Sequence, residues 1–225
     1  MRSTGNTSAT ALVAKLGGQV DRLTGLIEDL LDVTRMEGGQ LLLRPTPFEL
    51  DALIAEVSEE LQQMTERHTI VRECASSVIL TADRERIRQV LANLLTNAIK
   101  YSPRADRVVV RTTCDGDNVI IAVQDFGIGI PKEKQSHLFE RFFRVDGADR
   151  VDFSGLGLGL YIAAEFVKRH GGVLWVESEE GAGTTMAFSL PRGGSCSDLV
   201  RPVGPPPRPE SKSGSSRSRT PEGLA

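Results

Sequence analysis

The chain has 225 residues, of which 40% are hydrophobic and 25% charged, so it is large and apolar enough for one or two globular domains. Its net charge of −3 offers no basic surface for a nucleic acid, and no apolar stretch reaches membrane-spanning length. The three cysteines are too widely spaced for a disulfide framework or a zinc site, and the first residues lack a signal-peptide pattern. We therefore expect reduced thiols and a cytoplasmic location, although a full-length form could be anchored in a membrane.

Residues 1–40 are predicted to form a first domain that contains one long helix. The first ten residues are small and polar, and we expect them to fray. Apolar residues then recur every three or four positions along a narrow stripe, namely Val13, Leu16, Val20, Leu23, Ile27 and Leu30. Gly38 and Gly39 follow, where a helix commonly ends. Such a stripe favours packing against partner helices, from another chain or from a missing segment; the alternative is a helix that folds back on the next domain.

Residues 41–192 are predicted to form a second domain of mixed helices and strands. It starts with an extended connector at 41–50, broken by Pro45 and Pro47, and a helix over 51–66 with Asp51 as its N-cap. Valine- and isoleucine-rich runs predict strands at residues 69–72, 78–80, 107–113, 118–124, 173–178 and 184–190. Further helices are predicted at 83–102, from Pro131 and at 157–170. This order predicts an α+β fold, a two-layer α/β sandwich with helices on a mixed sheet.

The composition changes after Pro191. Residues 193–225 are rich in Pro, Ser and Arg and contain few apolar side chains, so they are predicted to be disordered. Pro205, Pro206 and Pro207 could form a ligand for a proline-binding domain, but a passive tail is the simpler interpretation.

The predicted helix at 83–102, here called the asparagine helix, carries two carboxamides on one face. Asn93 and Asn97 are four residues apart, and Lys100 and Tyr101 continue the same line. The opposite face is apolar, with Leu91, Leu94, Leu95 and Ala98. Amide oxygens are hard ligands that add no charge, so this face could hold a hydrated Mg²⁺ and a polyphosphate. The alternative is a surface helix with two ordinary asparagines.

Two glycine clusters follow the asparagine helix. The first glycine loop, residues 125–130, begins with Asp125 at the end of a strand, where its carboxylate could accept the N6 amine of adenine. Gly127 and Gly129 would let the backbone approach a planar ring. The second glycine loop, residues 155–160, opens a helix whose N-terminal amides could bind phosphate oxygens. It matches neither a dinucleotide fingerprint nor a P-loop.

The segment between the two loops contains aromatic and basic residues at 138–146. Its aromatic side chains could pack beneath a mobile segment, and its arginines could reach phosphates. Residues 147–154 are polar and contain glycine, which is typical of a lid over a bound nucleotide.

Taken in order, these motifs resemble the ATP-binding catalytic domain of two-component sensor histidine kinases. The resemblance covers about residues 11–191 and implies a Bergerat-type ATP-binding fold. Its four motifs are the N box at residues 93–102, the first glycine box at 125–129, the F box at 138–144 and the second glycine box at 155–160. Residues 26–37 resemble the second helix of the family's dimerisation and phosphoacceptor bundle. Four motifs in the right order and spacing are far more specific than any one of them.

The resemblance implies roles for individual residues. Asn97 would coordinate Mg²⁺ with Asn93 beside it, Lys100 would contact phosphates and Tyr101 would line the pocket. Asp125 would select adenine, helped by Gly127 and Gly129. Either Arg141 or Arg144 would stabilise the charge of the transferred phosphoryl group. The hinge and phosphate cradle of the lid would comprise Gly155, Leu156, Gly157, Leu158 and Gly159, with Leu156 standing where Thr or Ser is common.

The sequence departs from that family in one respect. The family's acceptor histidine precedes an acidic-Leu-Arg motif, and none of His68, His137 and His170 does so. We therefore expect the catalytic part of a histidine kinase, binding ATP and Mg²⁺, that phosphorylates a histidine outside this chain. Its expected partners are a response regulator and a second copy bound through the N-terminal helix.

Other functions remain open at this stage. One is a non-catalytic nucleotide-binding module that regulates or dimerises, which the missing histidine motif favours. Another is a serine kinase on the same ATP-binding fold, against which residues 26–37 argue. Simple ATP hydrolysis is disfavoured, because related ATPases place a glutamate base where Asn93 stands.

Overall fold

A five-stranded mixed sheet packed against helices forms the body of the protein, as the sequence predicts. The computed structural model describes residues 4–74, 78–145 and 156–192. In chain order, these residues form α1 (Thr4–Glu37), β1 (Thr46–Glu49), α2 (Leu50–Gln62), β2 (Thr69–Cys74), β3 (Ile79–Ala82), α3 (Arg84–Tyr101), β4 (Arg107–Asp115), β5 (Asn118–Asp125), α4 (Lys132–Gln135), α5 (Gly159–Arg169), β6 (Val173–Glu179) and β7 (Gly183–Pro191). The predicted lid at 147–154, Gly155 and the tail at 193–225 lie outside the described residues.

The strand order of the main sheet is β2-β4-β5-β7-β6. The pairing of β2 with β4 is parallel, and the other pairings are antiparallel. Alternate residues of β5, namely Val119, Ile121 and Val123, are buried, as expected when one face of a strand packs under helices. The register also aligns Asp125, the last residue of β5, with Thr184 near the start of β7.

A second, two-stranded sheet lies within the segment at 41–50 that is predicted to be an extended connector, and its strand pairing adds to that prediction. Residues Thr46–Glu49 form β1, which pairs antiparallel with β3 from Thr46 opposite Ala82 to Glu49 opposite Ile79. Pro47 lacks an N–H to donate, but an edge strand tolerates this loss. Phe48 packs against the core, which fixes the strand on the domain.

Helix α2 also differs from its prediction at both ends. It begins at Leu50 and ends at Gln62, and its N-cap position is Glu49, whose side chain makes no capping bond. Asp51 therefore lies inside the first turn and is not the cap. The Leu50 N–H donates to the carbonyl of Val78 at 2.9 Å, so the neighbouring strand region satisfies the start of the helix.

Helix α3, the asparagine helix, matches its prediction closely. Asp83 is the N-cap, and its side chain accepts a hydrogen bond of 3.3 Å from the N–H of Arg86. The predicted apolar face is buried, with Leu91, Leu94, Leu95 and Ala98 in the core. This burial turns the opposite face, which carries Asn93 and Asn97, toward the outside of the core.

Helix α1 is continuous from Thr4, so residues 4–10, where fraying is predicted, lie within the helix. It ends at Glu37, followed by Gly39 with a φ of 64°, as the glycine pair predicts. Four residues of the predicted stripe, Val20, Leu23, Ile27 and Leu30, are 54–61% exposed. None of the helices among the described residues is both long and apolar enough to span a bilayer.

The last turns of α1 pack against the rest of the protein, whereas the four described residues of the stripe are exposed. Val33 and Met36 are buried, and Arg169 donates to the carbonyl of Met36 at 3.0 Å. The helix therefore combines both interpretations of the sequence: an exposed apolar stripe and a C-terminal end that folds back.

Candidate nucleotide-binding site

Asn93 connects the asparagine helix to the second glycine loop. Its Nδ2 donates to the backbone carbonyl of Gly159 at 3.2 Å, and both Asn93 and Asn97 are half-buried. A Cβ at Gly159 would lie 2.8 Å from Asn93 Oδ1, so a side chain there would displace the Asn93 carboxamide. The start of α5 and the carboxamide face of α3 thus belong to one site.

Asp125 is almost fully buried at the end of β5. It is 6% exposed, and its Oδ1 accepts hydrogen bonds from the N–H groups of Gly127 at 2.9 Å and Thr184 at 3.3 Å. Burial raises the pKa of the Asp125 carboxyl, and the two N–H groups oppose that rise. The carboxyl is therefore rigidly held, as a residue that recognises a ligand must be.

Thr184 is a site residue that the sequence analysis missed. It pairs with Asp125 across β5 and β7, and its Oγ1 lies 2.9 Å from Ser178 Oγ. A Cβ at the preceding Gly183 would lie 2.3 Å from the carbonyl oxygen of Asp125. The glycine-threonine pair in the last hairpin was the available signal, but its meaning depends on a strand register that spacing alone does not give.

The first glycine loop packs tightly against the backbone of two other segments of the chain. A Cβ at Gly127 would lie 2.0 Å from the carbonyl oxygen of Tyr101, and one at Gly129 would lie 1.9 Å from that of Glu179. The N–H of Ile128 donates to the Tyr101 carbonyl at 3.1 Å. The protein backbone itself thus makes a close approach that requires these glycines. The approach of a planar ring to this loop stays a prediction. The loop is therefore held by backbone contacts with the end of α3 and the end of β6.

The F box contacts the second glycine loop through its backbone. The N–H of Phe142 donates to the carbonyl of Gly157 at 3.1 Å, and both residues have positive φ values, 61° and 72°. Phe139 and Phe143 pack against the core, whereas Phe142 is 63% exposed. The predicted packing of these aromatic side chains beneath a lid involves residues outside the described parts of the chain. A Cβ at Gly157 would lie 2.8 Å from the carbonyl oxygen of Phe143, so Gly157 allows the two segments to touch.

Two further pairs of predicted site residues lie at the end of α3 and before α5. The Lys100 ammonium lies 4.9 Å from the centroid of the Tyr101 ring, at the C-terminal end of α3. Leu156 is exposed, but Leu158 is buried in the core, so only the backbone of Leu158 can face a ligand.

Arg141 points toward α1 and α5. Its guanidinium pairs with the Glu37 carboxylate and donates to the Tyr161 hydroxyl at 2.7 Å, and these contacts raise the pKa of Arg141. Arg144 is exposed. The structure therefore joins Arg141 to the end of the N-terminal helix instead of directing it at the carboxamides.

Comparison with known proteins places this site in a family. Residues 82–194 match the family described as histidine kinase-, DNA gyrase B-, and HSP90-like ATPase. The circadian input-output histidine kinase CikA of Synechococcus elongatus is 34% identical over 192 residues, which cover 83% of this chain and 25% of CikA. The chain thus spans about a quarter of the length of that relative.

Solved structures give the same result. The Acinetobacter baumannii histidine kinase AdeS is 25% identical, with a TM-score of 0.67 over 82% of this chain and 85% of the AdeS chain. Full-length ShkA in complex with AMPPNP is 27% identical, with a TM-score of 0.72 over 84% of this chain and 40% of ShkA. The matched residues contain α3, both glycine loops and the F box. The chain therefore belongs to the histidine kinase-, DNA gyrase B-, and HSP90-like ATPase family.

Proposed function

We propose that this chain binds ATP with Mg²⁺ and transfers the γ-phosphoryl group to a histidine on a helix outside this chain. One observation carries the proposal: the four motifs are joined by hydrogen bonds to backbone carbonyls. The contacts are Asn93 with Gly159, Ile128 with Tyr101, and Phe142 with Gly157. Family membership and the solved ShkA complex with AMPPNP support ATP as the nucleotide.

The adenine would bind at Asp125. Both backbone N–H groups that reach this carboxyl use Oδ1, so Oδ2 would accept the exocyclic amine. Thr184, whose N–H donates to Asp125, would keep the carboxyl in place. GTP carries a carbonyl at that position and would present an acceptor to an acceptor, which favours ATP.

The metal and phosphates would bind along α3. No group of three or more His, Cys, Asp or Glu side chains in the described parts of the chain could hold a metal. The carboxamides of Asn93 and Asn97 fit Mg²⁺, which keeps several waters and is usually bound by few protein oxygens together with substrate phosphates. Bound Mg²⁺ would neutralise phosphate charge. Lys100 and the backbone amides at the start of α5 would position the phosphate chain.

The acceptor histidine has no good candidate among the described histidines. His68 is buried, and His170 is hydrogen-bonded to Asp83 and Phe166. His137 is exposed, but it lies 2.8 Å from the Glu140 carboxylate and precedes no acidic-Leu-Arg motif. The exposed apolar residues Val20, Leu23, Ile27 and Leu30 of α1 support packing against helices of a dimeric bundle. The acceptor histidine would lie on a bundle helix outside this chain, and a response regulator would take the phosphoryl group afterwards.

The test is label transfer from γ-labelled ATP with Mg²⁺. The chain would be mixed with a separately purified helical hairpin that carries a histidine before an acidic-Leu-Arg motif. A hairpin with that histidine replaced by glutamine is the control. Acid-labile, alkali-stable label on the first hairpin alone would support the proposal. Confirmed ATP binding without transfer to any acceptor would instead support the second candidate, a nucleotide-binding module without catalysis, which the missing histidine motif favours.

A further inference from the structure

His68 forms hydrogen bonds with both of its ring nitrogens and so joins two segments that are distant in sequence. It precedes β2, is 5% exposed, and its Nε2 lies 2.9 Å from the carbonyl oxygen and 3.2 Å from the Oγ of Ser102. Ser102 is the C-cap of α3 and is itself buried. On the other side of the ring, Nδ1 lies 3.1 Å from Thr65 Oγ1. One imidazole therefore joins the loop after α2 to the C-terminal end of α3.

The partners of the ring determine its tautomer. A carbonyl oxygen only accepts, so Nε2 carries the proton and donates to Ser102. Nδ1 then accepts from the Thr65 hydroxyl, whose oxygen in turn accepts from the His68 N–H at 3.3 Å. The Ser102 hydroxyl donates to the carbonyl of Ala98 in the last turn of α3. The neutral ring thus satisfies both of its nitrogen atoms, and it holds the last turn of α3 in one position.

That last turn belongs to the nucleotide site. Lys100 and Tyr101 immediately precede Ser102, and the Tyr101 carbonyl accepts the N–H of Ile128 in the first glycine loop. Gly127 contacts the same carbonyl so closely that a Cβ would overlap it. A shift of the Ser102 backbone would therefore move both the phosphate-facing end of α3 and the loop beside Asp125.

We propose that His68 is a positioning residue for nucleotide binding, which acts by fixing the C-terminal end of α3 through Ser102. The inference rests on the proposed function, because it assigns His68 to the same ATP site. His68 contacts Ser102 at the end of the N box and would act on the proposed nucleotide ligands through Ser102 and Tyr101.

His170 provides a matched control at the opposite end of the same helix. Its Nε2 accepts the N–H of Asp83, the N-cap of α3, at 3.0 Å, and its Nδ1 donates to the carbonyl of Phe166 at 2.7 Å. The two histidines thus hold the two ends of α3, about 25 Å apart for an 18-residue helix. Only the His68 end adjoins the first glycine loop. If both histidines had a purely structural role, replacing either one would have the same effect on nucleotide affinity.

The experiment compares His68→Leu, His68→Gln and His170→Leu with the wild type. AMPPNP binding with Mg²⁺ would be measured by calorimetry at a temperature where circular dichroism shows each protein fully folded. We expect both leucine variants to be destabilised, but only His68→Leu to bind AMPPNP about tenfold more weakly, because only it frees the nucleotide end of α3. Gln can place its Nε2 near the histidine Nε2 and donate to Ser102, so His68→Gln should recover most of the affinity.

Each result decides a different question. A wild-type chain that does not bind AMPPNP would overturn the proposed function and this inference with it. A wild type that binds and a folded His68→Leu protein of equal affinity would overturn this inference alone. If His68→Leu does not fold, Thr65→Val decides, because it removes only the hydroxyl that orients the ring. It should weaken binding about threefold, and unchanged affinity would overturn the inference.

Discussion

The buried carboxylate of Asp32, near the end of α1, accepts a hydrogen bond of 3.0 Å from Arg86 in the first turn of α3. Gln89 donates to the same carboxylate oxygen at 3.1 Å, and the Arg86 guanidinium lies 4.8 Å from the Phe166 ring centroid. Asp32 is 4% exposed, so this pair is shielded from solvent and fixes the end of the N-terminal helix on α3.

Asp32→Asn should release the end of α1 from the domain. The substitution removes the charge that Arg86 faces and leaves a partly buried guanidinium without its carboxylate, which costs about 1–3 kcal/mol. Limited proteolysis at residues 38–45, which join α1 to β1, should become faster. Glu28→Gln is the control, because Glu28 is exposed on the same helix. Equal cleavage rates in all three proteins would refute the role of Asp32.

Asp29 should make the protein more stable in mild acid. Burial, and then Asp32 and Glu28, raise the pKa of Asp29 to about 6. The folded state therefore binds this proton more tightly than the unfolded state, and the free energy of unfolding should fall as the pH rises from about 4 to about 6. Asp29→Asn should raise the free energy of unfolding at pH 7 by about 1 kcal/mol after allowance for solvent screening.

The check is urea denaturation of both proteins from pH 4 to pH 8. The difference between the variant and the wild type should vanish toward pH 4 and reach its full size above pH 6. A difference independent of pH would contradict the prediction.

Asn97→Ala should abolish the Mg²⁺-dependent part of nucleotide affinity. Asn97 is half-buried on the outer face of α3, so the fold should remain within about 0.5 kcal/mol of wild-type stability. Calorimetry with ATP would be run with Mg²⁺ and again with EDTA. Thr96→Ala, an exposed neighbour on the same helix, should bind as the wild type does. Affinity that still responds to Mg²⁺ in the Asn97→Ala protein would exclude the assigned role.

Asp125→Ala should weaken ATP and ADP binding equally, by about 1.5–3 kcal/mol, the range of a hydrogen bond to a charged group. Both nucleotides share the adenine, and the change lies away from the phosphates. Competition titrations with ATP, ADP and GTP provide the measurement. GTP that binds the wild type as tightly as ATP would show that Asp125 does not select the base.

Gly127→Ala should destabilise the fold and displace the first glycine loop. The new Cβ would overlap the Tyr101 carbonyl oxygen, whereas Gly25 in α1 has nothing within 4 Å of its Cβ position. We expect a loss of about 2–3 kcal/mol for Gly127→Ala and a small gain for Gly25→Ala, because alanine favours a helix. Thermal unfolding measures both changes. A Gly127→Ala protein with the thermal unfolding midpoint of the wild type would mean that the loop can move to accommodate the new methyl group.

Local patterns predicted some features correctly. The cap at Asp83, the buried face of α3 and the glycine end of α1 all depend on spacing within one element, so the sequence alone reveals them. The two-layer α/β fold with a mixed sheet is likewise confirmed.

The features that the sequence did not predict are contacts between distant segments. Strand β1 exists only because it pairs with β3, and Thr184 joins the site only through the register of β7 against β5. The need for Gly127 comes from a carbonyl 26 residues earlier in the chain, at Tyr101. No periodicity within one segment contains this information, because each case depends on which surfaces the folded chain brings together.

Because α1 is long, a small rotation near its C-terminal end would produce a large displacement at its N-terminal end. A helix of 34 residues is about 50 Å long, and among its described side chains the buried ones, Asp32, Val33 and Met36, lie in its last turns. A rotation of about 10° at the Asp32–Arg86 contact would therefore swing the opposite end by about 7 Å, given the 1.5 Å rise per residue. Conversely, a pull on that end acts on Asp32 and Glu37, and so on Arg86 of α3 and Arg141 of the F box. Mechanical input at the N-terminal end would thus reach α3 and the F box at two arginines.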